Sequence, residues 1–232
     1  MKFKGAIFDL DGTLLDSMPF WKNIGAEYLV SKGHNPPENI TEILKEMSLD
    51  QSAAYFRKEF AIQETEDEIV KGILSLVEDH YRYRIPLKNP VIPLLDRLHE
   101  SNIRMCIATA TGYSLAKAAV ERLGIDKYFE FIFTCTEAGV GKDSPEFFLK
   151  ALSILNTPKH ETLVFEDALH AIKSAKAAGL RVAAKNCRNC SCAPAAHGHS
   201  CGPVCSRASG HCGFLENTWR VTGRPAASSR AA

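Results

Sequence analysis

The sequence predicts an α/β protein in which a doubly wound parallel sheet carries an inserted helical-bundle cap. From residue 86 onward, short apolar runs of strand length alternate with helix-like segments. Between residues 17 and 85 the apolar spacing is helical, so this stretch interrupts the sheet. We therefore expect a catalytic core of residues 1–16 and 86–184, a helical cap of residues 17–85, and a tail of residues 185–232.

The first predicted strand is the apolar run Ala6–Phe8, which leads directly into two aspartates. The residues that follow it are Asp9, Leu10, Asp11, Gly12 and Thr13. Ligands of open parallel sheets bind beyond the carboxyl ends of the strands, so we expect Asp9 and Asp11 at the mouth of a cleft. Such close carboxylates repel each other unless a cation or proton intervenes, and hard oxygen ligands favour Mg²⁺. The alternative is an acidic turn without a function.

Four short helices are predicted in the insertion. Phe20, Ile24 and Tyr28 recur every four residues, and Gly33 would end that first helix. Capping-box spacing marks the start of three more helices, at Asn39 with Glu42, Ser48 with Gln51, and Thr65 with Glu68. Short helices with short connections form a small bundle, which we expect to lie over the crevice.

In the rest of the core, predicted strands alternate with predicted helices, as in a Rossmann-like sheet. Further strands are predicted at 103–108, 131–135, 163–165 and 181–184, and helices at 94–98, 113–123, 145–155 and 169–178. Polar residues that suit phosphoryl transfer follow these strands: Thr109, Lys142, Glu166 and Asp167. Thr109 and nearby backbone donors could bind a phosphate oxygen, and Lys142 could neutralise its charge. Each of these residues alone has an ordinary structural explanation, such as a helix dipole for the acidic pair.

The order and spacing of these residues resemble the four motifs of the haloacid dehalogenase superfamily, in its phosphatase and phosphomutase branch. The segment FDLDGTLLDS matches the first motif, Thr109 the second, Lys142 the third, and Glu166 with Asp167 the fourth. Asp11 argues against dehalogenases and phosphonate-cleaving members, which lack an aspartate there. Two departures are Lys-Asp-Ser-Pro in place of Lys-Pro-x-Pro, and Ala168 and His170-Ala171 in place of the small polar and glycine positions.

The resemblance implies a Mg²⁺-dependent phosphatase that acts on a small phosphorylated metabolite through a phospho-aspartyl intermediate. Asp9 would be the nucleophile and Asp11 the general acid and base. Phosphate binding is implied for Leu10, Asp11, Thr109, Ala110 and Lys142, and metal binding for Asp9, Asp11, Glu166 and Asp167. A phosphomutase of the β-phosphoglucomutase kind and a non-catalytic protein are the alternatives that these residues leave open.

The bulk composition gives no reason to expect nucleic acid or a membrane as a partner. The chain has 232 residues, a formal net charge of +1 and a hydrophobic content of 45%. No apolar run approaches the length of about 20 residues that a membrane helix needs. The amino terminus enters a strand too quickly for a signal peptide. We therefore expect a cytoplasmic monomer.

The tail from residue 185 differs abruptly from the rest of the chain, with six basic residues and one acidic residue. It contains six of the eight cysteines: Cys187, Cys190, Cys192, Cys201, Cys205 and Cys212. These cysteines could bind Zn²⁺ together with His197 and His199, but their spacing is irregular. A terminus of unnatural sequence, such as one from out-of-frame translation, explains the composition better. We expect the tail to be disordered and to leave apolar surface near the fifth strand uncovered.

Overall fold

A sheet with strand order β3-β2-β1-β4-β5-β6 forms the centre of the computed structural model, which describes residues 3–45, 47–185 and 219–222. The strands are β1 (Gly5–Phe8), β2 (Arg104–Thr109), β3 (Ile132–Thr134), β4 (Thr162–Glu166), β5 (Arg181–Lys185) and β6 (Trp219–Thr222). The first five pair in parallel, and β6 pairs antiparallel to β5. The prediction of a doubly wound parallel sheet is confirmed.

Strand β1 lies between β2 and β4, and this arrangement determines where the polar strand ends meet. Phe8 pairs with Ile107 on one side and with Phe165 on the other. Because the three strands run in the same direction, Asp9 follows β1 at the edge of the sheet where β2 and β4 also end. The predicted clustering of polar strand ends at one edge therefore follows from this register.

The helical insertion lies between β1 and β2 in the chain and has a hydrophobic cluster of its own. It contains α1 (Met18–Ser31), α2 (Ile40–Leu44), α3 (Leu49–Phe60) and α4 (Glu66–Asp79), followed by a π-helical turn at His80–Arg84. Tyr28, Phe56 and Ile69 are among the buried residues of its cluster. The four predicted helices are thus present.

Two of the three predicted capping boxes are present. Ser48 accepts the backbone N–H of Gln51, Thr65 accepts that of Glu68, and both reciprocal bonds form. The prediction at Asn39 is wrong, because its side chain makes no capping hydrogen bond within the described residues. The backbone of Asn39 has φ −92° and ψ 12°, whereas a helix N-cap normally has extended dihedral angles.

Helices cover both faces of the sheet. They are α5 (Val91–Glu100), α6 (Tyr113–Arg122), α7 (Cys135–Ala138), α8 (Pro145–Leu155) and α9 (Leu169–Ala177). Ile7 and Phe8 are neighbours in β1, yet they belong to different buried clusters, one on each face of the sheet. Successive side chains of a strand point to opposite faces, and β1 is therefore buried on both. The short apolar run Ala6–Phe8 has the composition that such a strand requires.

Strand β3 is shorter than predicted. The sequence suggests a strand over residues 131–135, but Cys135 already begins α7. Thr134 ends the strand because its hydroxyl accepts the backbone N–H of Glu137 and caps the helix that follows.

Four residues of the tail differ from the expectation of disorder, because Trp219–Thr222 form β6. A strand at the edge of a sheet exposes unpaired N–H and C=O groups, and β5 would be such an edge without β6. Aromatic and β-branched residues such as Trp219, Val221 and Thr222 favour strands. The six tail cysteines, the two histidines and the proposed zinc site lie outside the described residues. The domain boundaries at 16, 85 and 184 stay predictions.

None of the helices in the described part of the chain combines the length and the apolar character that a membrane span requires.

Candidate active site

The carboxylate of Asp9 is the centre of a buried charged cluster at the edge of the sheet. Asp9 follows β1 directly and is 5% exposed. Lys142, in the loop between α7 and α8, donates hydrogen bonds from Nζ to Asp9 Oδ1 and, at 2.9 Å, to Glu166 Oε2. Glu166 ends β4 and is also buried. The lysine thus joins carboxylates at the ends of two neighbouring strands.

The charges of this cluster depend on burial and on one another. The pKa of Asp9 is raised to about 7, because burial and the neighbouring carboxylate of Glu166 raise it by more than the contact with Lys142 lowers it. Burial alone would lower the pKa of Lys142, but the carboxylates of Asp9 and Glu166 together raise it. The lysine is therefore held in its charged form between two buried carboxylates.

Three carboxylates of this cluster could hold a metal ion. Asp9, Glu166 and Asp167 each offer an oxygen, and these oxygens lie within 4.8 Å of one another. Asp9 Oδ2 is buried and accepts no hydrogen bond from any described residue. Burial raises the pKa of Asp167, and the charge of Asp9 raises it further. A hard divalent cation would satisfy the buried oxygen and relieve the repulsion, so the donor set fits Mg²⁺.

Glu166 is oriented by the backbone as well as by Lys142. Its Oε1 accepts the N–H groups of Asp167 and Ala168, each at 3.1 Å, while Oε2 faces Lys142. Both carboxylate oxygens of Glu166 are therefore held in place by groups of the protein.

Gly12 allows the loop after β1 to approach the loop after β4. Its φ is +82°, and a Cβ atom at this position would lie 2.1 Å from Asp167 Oδ2. Any side chain at position 12 would therefore displace the Asp167 carboxylate in addition to straining the backbone.

The carboxylate of Asp11 is held by hydroxyl groups. Tyr81 donates a hydrogen bond to Asp11 Oδ1 at 2.6 Å, and Thr111 donates one to Oδ2 at 2.5 Å. Trp21 in α1 donates its indole N–H to the hydroxyl oxygen of Tyr81 at 3.2 Å. Burial raises the pKa of Tyr81 and Asp11 raises it further, so the phenol keeps its proton.

The structure brings Asp9, Lys142, Glu166 and Asp167 together, whereas Asp11 is directed toward the hydroxyl groups. Thr109 ends the neighbouring strand β2, is buried, and accepts the backbone N–H of Thr111 at 3.0 Å. Ala110 comes next in the same loop. The side chain of Leu10 is fully buried in the core, so only its backbone could face a ligand.

Sequence reasoning missed Tyr81 and Thr111 as residues that contact the site. Thr111 had a usable signal, because it lies two positions after Thr109 in the same strand-end loop. Tyr81 had none, since it lies 70 residues from Asp11 and its ring belongs to the hydrophobic core.

A family model described as haloacid dehalogenase-like hydrolase matches residues 6–185 of the chain. Hexitol phosphatase A of Escherichia coli is 28% identical over 195 residues, which cover 80% of this chain and 84% of that protein. A phosphorylated carbohydrates phosphatase of Thermotoga maritima is 23% identical over 177 residues, or 76% and 82% of the two chains. A solved structure from Thermotoga maritima, named provisionally as a β-phosphoglucomutase, has a TM-score of 0.70 at 23% identity over 78% of this chain and 82% of that one.

Proposed function

The chain belongs to the haloacid dehalogenase-like hydrolases, and from this premise we propose that it is a Mg²⁺-dependent phosphatase of a small phosphorylated metabolite. The observation that carries the proposal is the buried carboxylate of Asp9. One of its oxygens is bound by Lys142, and the other accepts no hydrogen bond from the described residues. The Asp9 carboxylate also offers an oxygen within 4.8 Å of oxygens of Glu166 and Asp167. The two curated relatives described above are named as phosphatases of phosphorylated sugars or sugar alcohols, which supports this class of substrate.

The metal would be held by the carboxylates of Asp9, Glu166 and Asp167 and by the backbone carbonyl of Asp11. When bound, Mg²⁺ supplies charge neutralisation for a phosphoryl group that approaches this acidic cluster. Lys142 would also neutralise the charge of the phosphoryl group, because its ammonium group is held between Asp9 and Glu166.

The chemical steps would be divided between the two aspartates. Asp9 attacks phosphorus, the bond to the leaving oxygen breaks, and Asp11 donates its proton to that oxygen to release an alcohol. Asp11 then accepts a proton from water, which attacks the phospho-aspartyl group and releases phosphate. Asp9 is regenerated as a carboxylate and Asp11 as an acid.

The phosphate oxygens would be bound by the hydroxyl of Thr109, by backbone groups of Leu10, Asp11 and Ala110, and by Lys142. The helical insertion would act as a cap that closes over the site, excludes water and selects the substrate. Its contact with the site through Tyr81 supports this role, because the tyrosine lies in the segment that returns from the insertion to the core.

The test is phosphate release from a panel of phosphorylated sugars, sugar alcohols, nucleotides and phosphoglycolate, measured with Mg²⁺ and with excess chelator. We expect hydrolysis of at least one member with Mg²⁺ and its loss on chelation. Undiminished turnover in chelator would contradict the metal assignment. Isomerisation of a hexose phosphate without phosphate release would favour the phosphomutase alternative.

The cytoplasmic location and the monomeric state stay predictions of the sequence. Size-exclusion chromatography with light scattering would measure the oligomeric state directly.

A further inference from the structure

Both carboxylate oxygens of Asp11 accept a hydrogen bond from a side-chain hydroxyl, and the two donors come from separate parts of the fold. Tyr81 belongs to the π-helical turn at the end of the insertion, and Thr111 belongs to the loop after β2. The two hydroxyl oxygens lie 3.4 Å from each other. The Asp11 side chain is therefore held between the insertion and the core.

We propose that Tyr81 and Thr111 are positioning residues that hold the Asp11 carboxyl group in the orientation from which it transfers a proton to the leaving oxygen. This inference rests on the proposed function, because it assigns an orienting role to groups that act through Asp11. Neither residue would touch the reacting phosphorus.

The Tyr81 ring has little freedom to move. It is 1% exposed, and Trp21 donates its indole N–H to the tyrosine hydroxyl oxygen at 3.2 Å, which directs the hydroxyl proton toward Asp11. Arg122 of α6 donates hydrogen bonds to the backbone carbonyls of Tyr81 at 3.2 Å and Ile85 at 2.6 Å. The π-helical turn is thus attached to the core, and the tyrosine hydroxyl is placed by backbone as well as by side-chain contacts.

Thr111 has a similar backbone restraint. Its N–H donates to the Thr109 hydroxyl oxygen at 3.0 Å, so the loop after β2 places the Thr111 hydroxyl opposite that of Tyr81. A carboxylate has about four lone-pair sites on its two oxygens, so two hydroxyl donors leave a site free for the proton that Asp11 delivers to the leaving oxygen. Holding both oxygens limits rotation of the carboxyl group, and orientation of this kind contributes to the rate of a proton transfer.

The test compares two aryl phosphates of nearly the same shape, phenyl phosphate and p-nitrophenyl phosphate. The phenyl ester needs protonation of its leaving oxygen, whereas p-nitrophenolate leaves readily without it. The ratio kcat/KM reports the steps up to formation of the phospho-aspartyl group, in which Asp11 acts as the acid. We expect Tyr81→Phe and Thr111→Val each to lower kcat/KM for phenyl phosphate by about tenfold, because each variant loses one hydrogen bond to a charged group. For p-nitrophenyl phosphate, kcat/KM of each variant should stay within about twofold of that of the unaltered enzyme.

Two further variants separate positioning from a loss of structure. Thr111→Ser retains the hydroxyl and should restore the phenyl phosphate activity that Thr111→Val loses. Tyr28→Phe removes the hydroxyl of another buried tyrosine of the insertion, which donates to Glu64 at 3.2 Å, and should leave both activities unchanged. If Tyr81→Phe does not fold, the valine and serine variants at position 111 still decide the question.

An equal loss of kcat/KM for the two esters would overturn the positioning role. So would a Thr111→Ser variant whose activity toward phenyl phosphate is as low as that of Thr111→Val. In that case the unaltered enzyme would still hydrolyse both esters, and the proposed function would stand. If the unaltered protein with Mg²⁺ releases phosphate from neither ester and from no member of the metabolite panel, the proposed function fails and this inference fails with it.

Discussion

Asp9 is the residue on which the proposed chemistry depends. Its burial raises its pKa to about 7 despite the contact with Lys142, so the protein alone does not fully stabilise its charged form. Mg²⁺ would supply the missing stabilisation, because an adjacent cation favours an ionised carboxylate. Nucleophile and metal ligand are therefore two linked roles of one side chain in the proposed mechanism.

Asp9→Asn should lower phosphate release by about a thousandfold or more, because an amide cannot act as the nucleophile. Asp167→Asn is the matched control, since it removes a carboxylate of the same cluster without removing the nucleophile. Phosphate release is measured across a range of Mg²⁺ concentrations. We expect high Mg²⁺ to restore part of the activity of the Asp167 variant and none of that of the Asp9 variant. Recovery of the Asp9 variant would show that the nucleophile is a different residue.

Alanine variants at Gly12 and Gly33 separate the effect of backbone strain from the effect of crowding by a new side chain. Their φ angles are +82° and +80°. A Cβ atom would lie 2.1 Å from Asp167 Oδ2 at Gly12, whereas at Gly33 no described atom beyond the two adjacent residues would lie within 4 Å of it. Each alanine variant should lose about 1 kcal/mol of unfolding free energy from the positive φ alone.

Gly12→Ala should in addition weaken Mg²⁺ binding, because the new methyl group displaces a proposed ligand. Gly33→Ala should leave Mg²⁺ binding unchanged. Titration of each variant with Mg²⁺, followed by activity and by thermal stability, measures the difference. Equal Mg²⁺ affinities in the two variants would argue against Asp167 as a ligand.

At the scale of elements, the helices of the insertion differ in how they begin. Helix α4 starts with a complete capping box at Thr65 and Glu68, and α3 starts with one at Ser48 and Gln51. Helix α2 is five residues long, and Asn39 before it makes no capping hydrogen bond in the described part of the chain. The same sequence spacing therefore has different structural outcomes.

Thr65→Ala should lower the unfolding free energy by about 1 kcal/mol, because it removes a side-chain acceptor for a helix N–H group. Asn39→Ala, at the third predicted capping box, should change it by less than about 0.5 kcal/mol. Chemical denaturation of both variants gives the comparison. A cost at Asn39 as large as that at Thr65 would indicate that Asn39 does cap α2 in solution.

At the scale of the whole molecule, β6 completes one edge of the sheet. It lies beyond β4 and β5, so two strands separate it from β1 and Asp9. Its pairing covers Val182 to Lys185 of β5 through backbone contacts. Stability should therefore depend on β6 more strongly than catalysis does.

Ending the chain after Lys185 should lower the melting temperature and leave kcat/KM per folded molecule unchanged, because the backbone groups of β5 lose their partners. Differential scanning calorimetry and phosphate release from the same preparations test both parts. Zinc content measured before and after truncation tests the alternative interpretation of the cysteines. A loss of activity in proportion to a loss of zinc would contradict the expectation that the tail has no role in the reaction.

Sequence reasoning was most successful where one stretch of chain contains the whole signal. The alternation of strands and helices, the buried composition of Ala6–Phe8 and the capping boxes at Ser48 and Thr65 depend on residues close together in the chain. Hydrogen bonds within a helix and the alternation of a strand are local, so their patterns can be read without a fold. The four motifs also led to the correct family.

Only the tertiary structure decided which distant groups meet. The contact of Tyr81 with Asp11, the close approach of Gly12 to Asp167 and the pairing of Ala183 with Val221 join segments that are far apart in the chain. Such contacts depend on strand order and on how the insertion packs against the core. Local spacing contains little information about either, because the free energy of packing depends on both partners at once. The sequence by itself therefore determined the elements, the family and the candidate residues, and the tertiary structure determined how those residues are oriented and what holds them.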